Sequence, residues 1–259
     1  MDEILSTGRS DSVFFEGMIS FRSVVAAIRE GRSDRRITAL YFDSEKKQKL
    51  SKHLSYIKAM SHELSFPIYY TEKEEISAFC QGSSHGGILT VCTERTYPLL
   101  TSAHQLKNDG FYVILDGIED PYNFAFSLRA AYASGADAII LPERNWMSSA
   151  GTVCRSSAGA SELIDTFILT SDSVKALKAA GIKIVCAEME DSLPIAKADL
   201  SRPLALIIGG EKRGISSFLL ENADLRIRID YGREFSQALP AACASSIVCF
   251  EVLRQNSKN

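Results

Sequence analysis

The stretch FYVILDGIEDPYNFAFSLRAAYASGADAIILP, Phe111 to Pro142, reads as strand, loop, helix and strand, and it decides the fold class. Tyr112 to Leu115 form a compact apolar run that ends at Asp116, with Gly117 and Pro121 blocking continuation. Asn123 stands where a helix N-cap belongs, ahead of FAFSLRAAYAS, an alanine-rich segment free of Gly and Pro. Gly135 is the expected C-terminal stop, and Ala138 to Leu141 the next buried strand. Such a βαβ unit implies a parallel sheet with a right-handed crossover. Asp120, Asn123 and Arg129 then lie at or just past the C-terminal edge of a buried strand, where open α/β sheets hold their ligands.

Working downstream, ERNWMSSAGTVCRSSAGASELID is loop-like, with a small-residue helix containing Ser157 to Glu162, and its Trp146 reads as a packing residue. Thr166 to Leu169, IKIVCAEM, LALII and LRIRID are strands; SDSVKALKAAG is a helix stopped by Gly181. QALPAACASSIVCFEVLRQ reads as a long terminal helix with Pro240 in its first turn. Upstream, MISFRSVVAAIREG is an amphipathic helix in which Ile19, Val24, Val25 and Ile28 can share a face. ITALYFD, PIYYT and GGILTVCT are strands, SEKKQKLSKHLSYIKAMSHE a charged helix and EKEEISAFC a short one. The pattern breaks between Thr93 and Asn108, so the expected organisation is a small α/β domain over residues 1–100 and a parallel-sheet domain over residues 108–259.

Composition bounds the partners. A chain of 259 residues that is 46% hydrophobic can bury a sizeable core. The net charge of -3 does not mark a nucleic-acid binder, although a local basic patch can hide in a neutral total. Arg22, Arg29, Arg32, Arg35 and Arg36, followed by Lys46, Lys47, Lys49 and Lys52, are either a solvated face or a phosphate-contacting one. The six cysteines show no CxxC spacing and read as scattered buried thiols of a reducing compartment, without a metal site. With neither a signal-like segment nor a run of transmembrane length, the expected location is cytoplasmic.

Two further loops could carry chemistry. Gly209-Gly210-Glu211-Lys212-Arg213-Gly214 follows the apolar strand directly, and its glycines allow a sharp turn with open N–H groups. It has the spacing of neither a Walker A loop nor GxGxxG, so alone it is as readily a structural turn. Ile229 to Ser236 leads from a strand into the terminal helix. Three strand-end loops in one parallel sheet would converge on one crevice. None of His53, His62, His85 and His104 falls in the expected second domain, which argues against a His-dependent hydrolase. His85-Gly86-Gly87, just before a strand, reads as a turn.

These residues carry a resemblance. Asp120-Pro121-Tyr122-Asn123 with Arg129 resembles the first motif of the SpoU (TrmH) family of RNA 2′-O-ribose methyltransferases. Ser156 to Ala160 is similar to that family's small-residue segment, and Leu206 to Gly214 to its second motif, with the Gly-x-Glu core at Gly209 to Glu211. The likeness spans about 110 to 255; Phe15-Glu16-Gly17 and His85 to Ile88 resemble, more loosely, a ribosomal-protein-like substrate domain often fused to it. The resemblance implies a knotted α/β methyltransferase domain, S-adenosylmethionine as cofactor, a homodimer, and ribosomal or transfer RNA as substrate. By the same carry-over Arg129 is the central catalytic residue, with Asn123 and Glu211 shaping the site, and Gly209, Gly210, Ile229 and Leu239 line the cofactor. The chain departs from the pattern at Ala125, where the family has Gly, and at Phe235 to Pro240, where the third motif's Asn is missing. A non-catalytic RNA-binding or assembly protein is the alternative, and methyl transfer to a base rather than a ribose a third possibility.

Overall fold

The computed structural model describes residues 12–80, 85–143 and 149–257. The chain divides into two units, one of residues 1–96 and 145–163, the other of residues 97–144 and 164–259.

The first unit is built on a four-stranded sheet of order β1-β4-β2-β3, with β1 (Ser12–Glu16), β2 (Ile37–Asp43), β3 (Ile68–Thr71) and β4 (Ile88–Thr93). Only β2 and β3 run parallel; β4 is antiparallel to both β1 and β2. Helices α1 (Gly17–Arg29) and α2 (Ser51–Leu64) bury Phe21, Val24, Val25, Leu54, Ile57 and Met60 in one cluster with Phe15, Leu40 and Phe42. The buried face of α1 is therefore Phe21, Val24, Val25 and Ile28, spaced i, i+3, i+4, i+7, and not one containing Ile19, which is 62% exposed. Five positions separate Ile19 from Val24, about 140° around the helix, so the two cannot share a narrow stripe. The charged helix begins only at Ser51: Ser44–Lys46 form a 3-10 turn instead, capped by the Asp43 carboxylate on the Glu45 N–H at 3.0 Å. The short α3 (Lys73–Ser77) follows β3.

Helices α4 (Pro121–Ala133), α5 (Ala150–Ser156) and α6 (Ala160–Leu163) divide between the units: α5 and α6 pack on β1 and α1 of the first. Ala150 and Cys154 sit in the first unit's core. Arg35 donates from Nε to Glu162 Oε2 at 3.0 Å, both side chains being 2% exposed, and Arg155 pairs with Glu16 at 2.6 Å. Gly159 has φ +88°, and an added Cβ would stand 1.8 Å from Ser23 Oγ, so the Ser-Ala-Gly-Ala turn is pressed against α1. The small-residue segment thus belongs by packing with the N-terminal residues, although it follows the βαβ unit in sequence. Trp146 lies outside the described residues.

The second unit holds a seven-stranded sheet of order β7-β6-β5-β10-β8-β11-β9 in which every pairing is parallel. Its strands are β5 (Phe111–Asp116), β6 (Ala138–Pro142), β7 (Asp165–Leu169), β8 (Lys183–Ala187), β9 (Leu193–Pro194), β10 (Leu204–Gly209) and β11 (Leu225–Arg228). The chain winds outward from β5 through β6 to β7, then reverses to build β8, and β10 later enters beside β5. The β5–β10 seam is the topological switch point, and it ends with Asp116 level with Gly209. Helices α7 (Ser173–Ala179), α8 (Ser217–Glu221) and α9 (Ala241–Asn256) complete the unit, with α9 packed along α4.

Two helix starts differ from expectation. The N-cap of α4 is Asp120, whose Oδ1 accepts from the N–H groups of Tyr122 at 3.1 Å and Asn123 at 2.7 Å, with Pro121 in the first turn. Pro121 has no N–H to satisfy there, so it opens the helix rather than blocking it. Asn123 is freed from capping and its side chain can act elsewhere. The terminal helix starts at Ala241 with Pro240 as its N-cap, and residues 235–239 are non-helical.

Candidate active site

The three strand-end loops of the second unit do meet, through hydrogen bonds that begin at Asp116. Its carbonyl accepts from Gly210 N at 2.7 Å, and its carboxylate Oδ2 from Ser216 N at 2.7 Å, so one residue at the end of β5 holds both ends of the Gly210–Ile215 loop. The loop closes on itself through Gly214 N to Gly210 O at 2.9 Å. A Cβ on Gly210 would lie 1.9 Å from Gly117 O, so only glycine lets the two loops approach this closely.

Glu211 joins the second loop to the other two. Asn123 Nδ2 donates to Glu211 Oε1 at 2.7 Å, and the Ala241 N–H at the start of α9 approaches the same oxygen at 3.4 Å. Two of the residues singled out from sequence, distant by 88 positions, are thereby in direct contact. On the outer side, Lys212 and Arg213 reach Glu119 at 3.2 and 3.7 Å, exposed pairs worth little in energy.

Beside this junction is a cavity of about 210 Å³. Gly209, Gly210 and Glu211 line it with Ile229 and Leu239, so the residues expected around a cofactor share one space. Ile208, Ile227 and Val248 make much of the wall apolar, and Tyr231 Oη accepts from Leu239 N at 3.2 Å, bracing the loop in which the third-motif Asn is missing. Arg129 is not part of the lining. It is exposed on α4, six positions beyond Asn123 and so about 240° around the helix from it. Among the described residues, no hydrogen bond or ion pair holds its guanidinium.

The sequence reading missed the end of β8. Ala187, Glu188 and Met189 line the cavity too, at the end of the strand paired beside β10. The signal was available: IKIVCAEM is an apolar run that ends in Glu, the same strand-then-polar pattern used to find the other loops. His104 belongs to the second unit, contrary to the boundary expected at 108, but it is exposed on a 3-10 turn and does not line the cavity. Among the described residues, no group of three or more His, Cys, Asp and Glu is arranged to hold a metal, and no helix is long and apolar enough to cross a membrane.

Comparison with known proteins matches the same region. The model of the SpoU rRNA Methylase family fits residues 110–250, just over half of the chain. The chain belongs to the SpoU family of RNA methyltransferases. A Staphylococcus saprophyticus protein bearing the name "Putative TrmH family tRNA/rRNA methyltransferase" is 35% identical over 147 residues, which is 56% of this chain but only 59% of that relative. A 23S rRNA (guanosine-2′-O-)-methyltransferase RlmB of Pseudomonas putida is 27% identical over 202 residues, 76% of this chain and 81% of the relative. Among solved structures, an S-adenosylmethionine-bound rRNA methyltransferase from Sinorhizobium meliloti superposes with a TM-score of 0.78 at 22% identity, covering 96% of this chain and 89% of the other. That likeness shows the shared α/β fold with its parallel sheet.

Proposed function

We propose that this SpoU-family chain is an S-adenosylmethionine-dependent RNA methyltransferase that modifies a ribose 2′-hydroxyl of ribosomal or transfer RNA. The observation that carries the reading is the Asn123–Glu211 hydrogen bond at the β5–β10 switch point, beside a cavity walled by Gly209, Gly210, Ile229 and Leu239. The lining suits the cofactor: an apolar slot takes a flat heteroaromatic ring, while open main-chain groups of a glycine loop can read its polar edge. When bound, S-adenosylmethionine supplies an electrophilic methyl group on a sulfonium. Glu211 holds Asn123 and the start of α9 in register, fixing the cavity mouth. Arg129, exposed on α4, binds the target phosphate and favours the alkoxide that develops as the ribose hydroxyl loses its proton. Catalysis of this kind is positioning and electrostatics. The first unit is proposed as the RNA-binding domain, and the second as a knotted methyltransferase domain that works as a homodimer.

The test is calorimetric titration with S-adenosylhomocysteine followed by nucleoside analysis of methylated RNA. Binding of about one ligand per chain and a 2′-O-methyl product support the reading. A methyl on the base would replace the ribose assignment. A second reading, a non-catalytic RNA-binding or assembly protein, is favoured by the missing Asn in Phe235 to Pro240; absence of ligand binding by the folded protein would select it.

A further inference from the structure

The charge of the cavity wall is mainly negative. Two carboxylates line it, Glu188 and Glu211, with a single cation, Arg228. Arg228 is already neutralised: its Nε pairs with Asp230 Oδ1 at 2.8 Å, and its Nη1 donates to the Ser192 carbonyl. Glu211 is engaged by Asn123 and Ala241 as described. Glu188 differs from both. It sits directly after β8, where its N–H donates to Ile227 O at 2.9 Å, so its backbone is fixed by the sheet. Its Oε1 accepts from Met189 N at 2.7 Å, which turns the carboxylate back over the strand end. Oε2 has no hydrogen-bond partner among the described residues, and the side chain is half-buried, so water screens it only in part.

We propose that Glu188 is a specificity-determining residue that makes the cavity prefer the charged methyl donor to the neutral product. This rests on the cofactor reading above. S-adenosylmethionine and S-adenosylhomocysteine share their adenosine, ammonium and carboxylate groups; they differ in one methyl and one positive charge. In the transfer the carbon–sulfur bond would break, the methyl would pass to the ribose oxygen as the hydroxyl proton leaves to water, and sulfur would keep the electron pair as a neutral thioether. A fixed carboxylate in the wall attracts the donor and loses that attraction once the methyl has gone, so the same residue that favours loading of the donor favours release of the product. Were the sulfonium to lie some 6 Å from this carboxylate, an effective dielectric near 40 would favour the donor by about tenfold, which screening over a Debye length of about 8 Å lowers to about threefold.

The experiment is titration of the full-length protein with each ligand separately, without RNA, for the unaltered chain, Glu188→Gln and Glu188→Asp. In Glu188→Gln the preference for S-adenosylmethionine over S-adenosylhomocysteine falls about threefold, with affinity for S-adenosylhomocysteine held within about twofold. Glu188→Asp keeps most of the preference, and raising the salt concentration shrinks it in both of these carboxylate-bearing proteins but not in Glu188→Gln. An unchanged ratio in Glu188→Gln, or equal weakening of both ligands, overturns the role of Glu188 while leaving the cofactor reading intact. Failure of the unaltered, folded protein to bind either ligand removes the cofactor reading and this inference with it.

Discussion

Single residues set the site by what they release as much as by what they hold. Because Asp120 caps α4, the Asn123 amide is free to reach Glu211 at 2.7 Å. Asn123→Ala removes the donor without leaving a buried group unpaired, so we expect a fold change below about 1 kcal/mol but loss of methyl transfer by at least tenfold, read by incorporation of labelled methyl groups. Arg129→Ala should reduce transfer by a hundredfold or more with S-adenosylhomocysteine affinity unchanged; wild-type transfer rates in that variant would remove its assigned role. His85 offers a pH test. It is buried, its Nδ1 accepts from Gly87 N at 3.1 Å and its Nε2 lies 3.1 Å from Ser77 Oγ. Burial, reinforced by the nearby Lys46, holds its pKa below the ordinary 6.5. The unfolded chain therefore binds a proton that the folded one refuses as pH falls through 6.5, and stability drops toward acid until the folded pKa is passed. Thermal melts between pH 7.5 and 5 should show this loss, and His85→Gln should flatten it. His85 was legible in sequence as part of a glycine turn. Its burial was not, because it depends on α3 and β2 closing over it from elsewhere in the chain.

Elements explain which readings from sequence succeeded. Fully buried strands such as β5 and β10 announce themselves as apolar runs ended by Asp116 and Gly209, and both were found to within a residue. Helix starts were harder, since Asp120, Pro121 and Asn123 are each plausible at an N-terminus and only geometry shows which side chain accepts. The arginine run of the first unit could not be interpreted from spacing alone. Arg29 and Arg32 are tied to Glu63 and Glu30 at the surface, and Arg35 is sealed against Glu162, 127 positions away. Three of the five arginines of the candidate phosphate surface are therefore engaged by carboxylates of the same unit. The Arg35–Glu162 pair is also a buried polar link between β2's approach and α6. Removing one partner leaves a buried, uncompensated charge, so Glu162→Ala should destabilise by about 3–5 kcal/mol, whereas the double variant Arg35→Met with Glu162→Leu should recover most of that loss. Denaturant midpoints of the three proteins decide this, and equal destabilisation in both variants would show that the pair is not what anchors α6.

At the scale of the whole molecule, the second unit leaves an apolar surface that one chain does not cover. Phe250 on α9 is 61% exposed, Ile247 and Leu253 are also exposed, and Tyr122 and Phe126 project from α4, the helix packed along α9. An open depression between residues 195–196 and 246–254 adjoins them. A monomer seldom presents so many large apolar side chains on two neighbouring helices, which supports the proposed homodimer. The cysteines make that proposal measurable. Burial pushes the thiols of Cys154, Cys186 and Cys249 up to about 12, and that of Cys80 to about 11, so none of these offers appreciable thiolate at neutral pH. Cys92 is buried and raised further still. Cys243 is exposed, and it precedes Ile247 and Phe250 by four and seven positions, which places it on the same helix face. If that face is the dimer contact, Cys243 reacts slowly with an alkylating reagent in the assembled protein. Phe250→Asp should halve the mass seen by sedimentation and raise the rate of Cys243 labelling at least tenfold, with the other thiols still protected. A monomeric native protein whose Cys243 already reacts at the rate of a free thiol would sink the dimer proposal, since the face would then stand open to solvent.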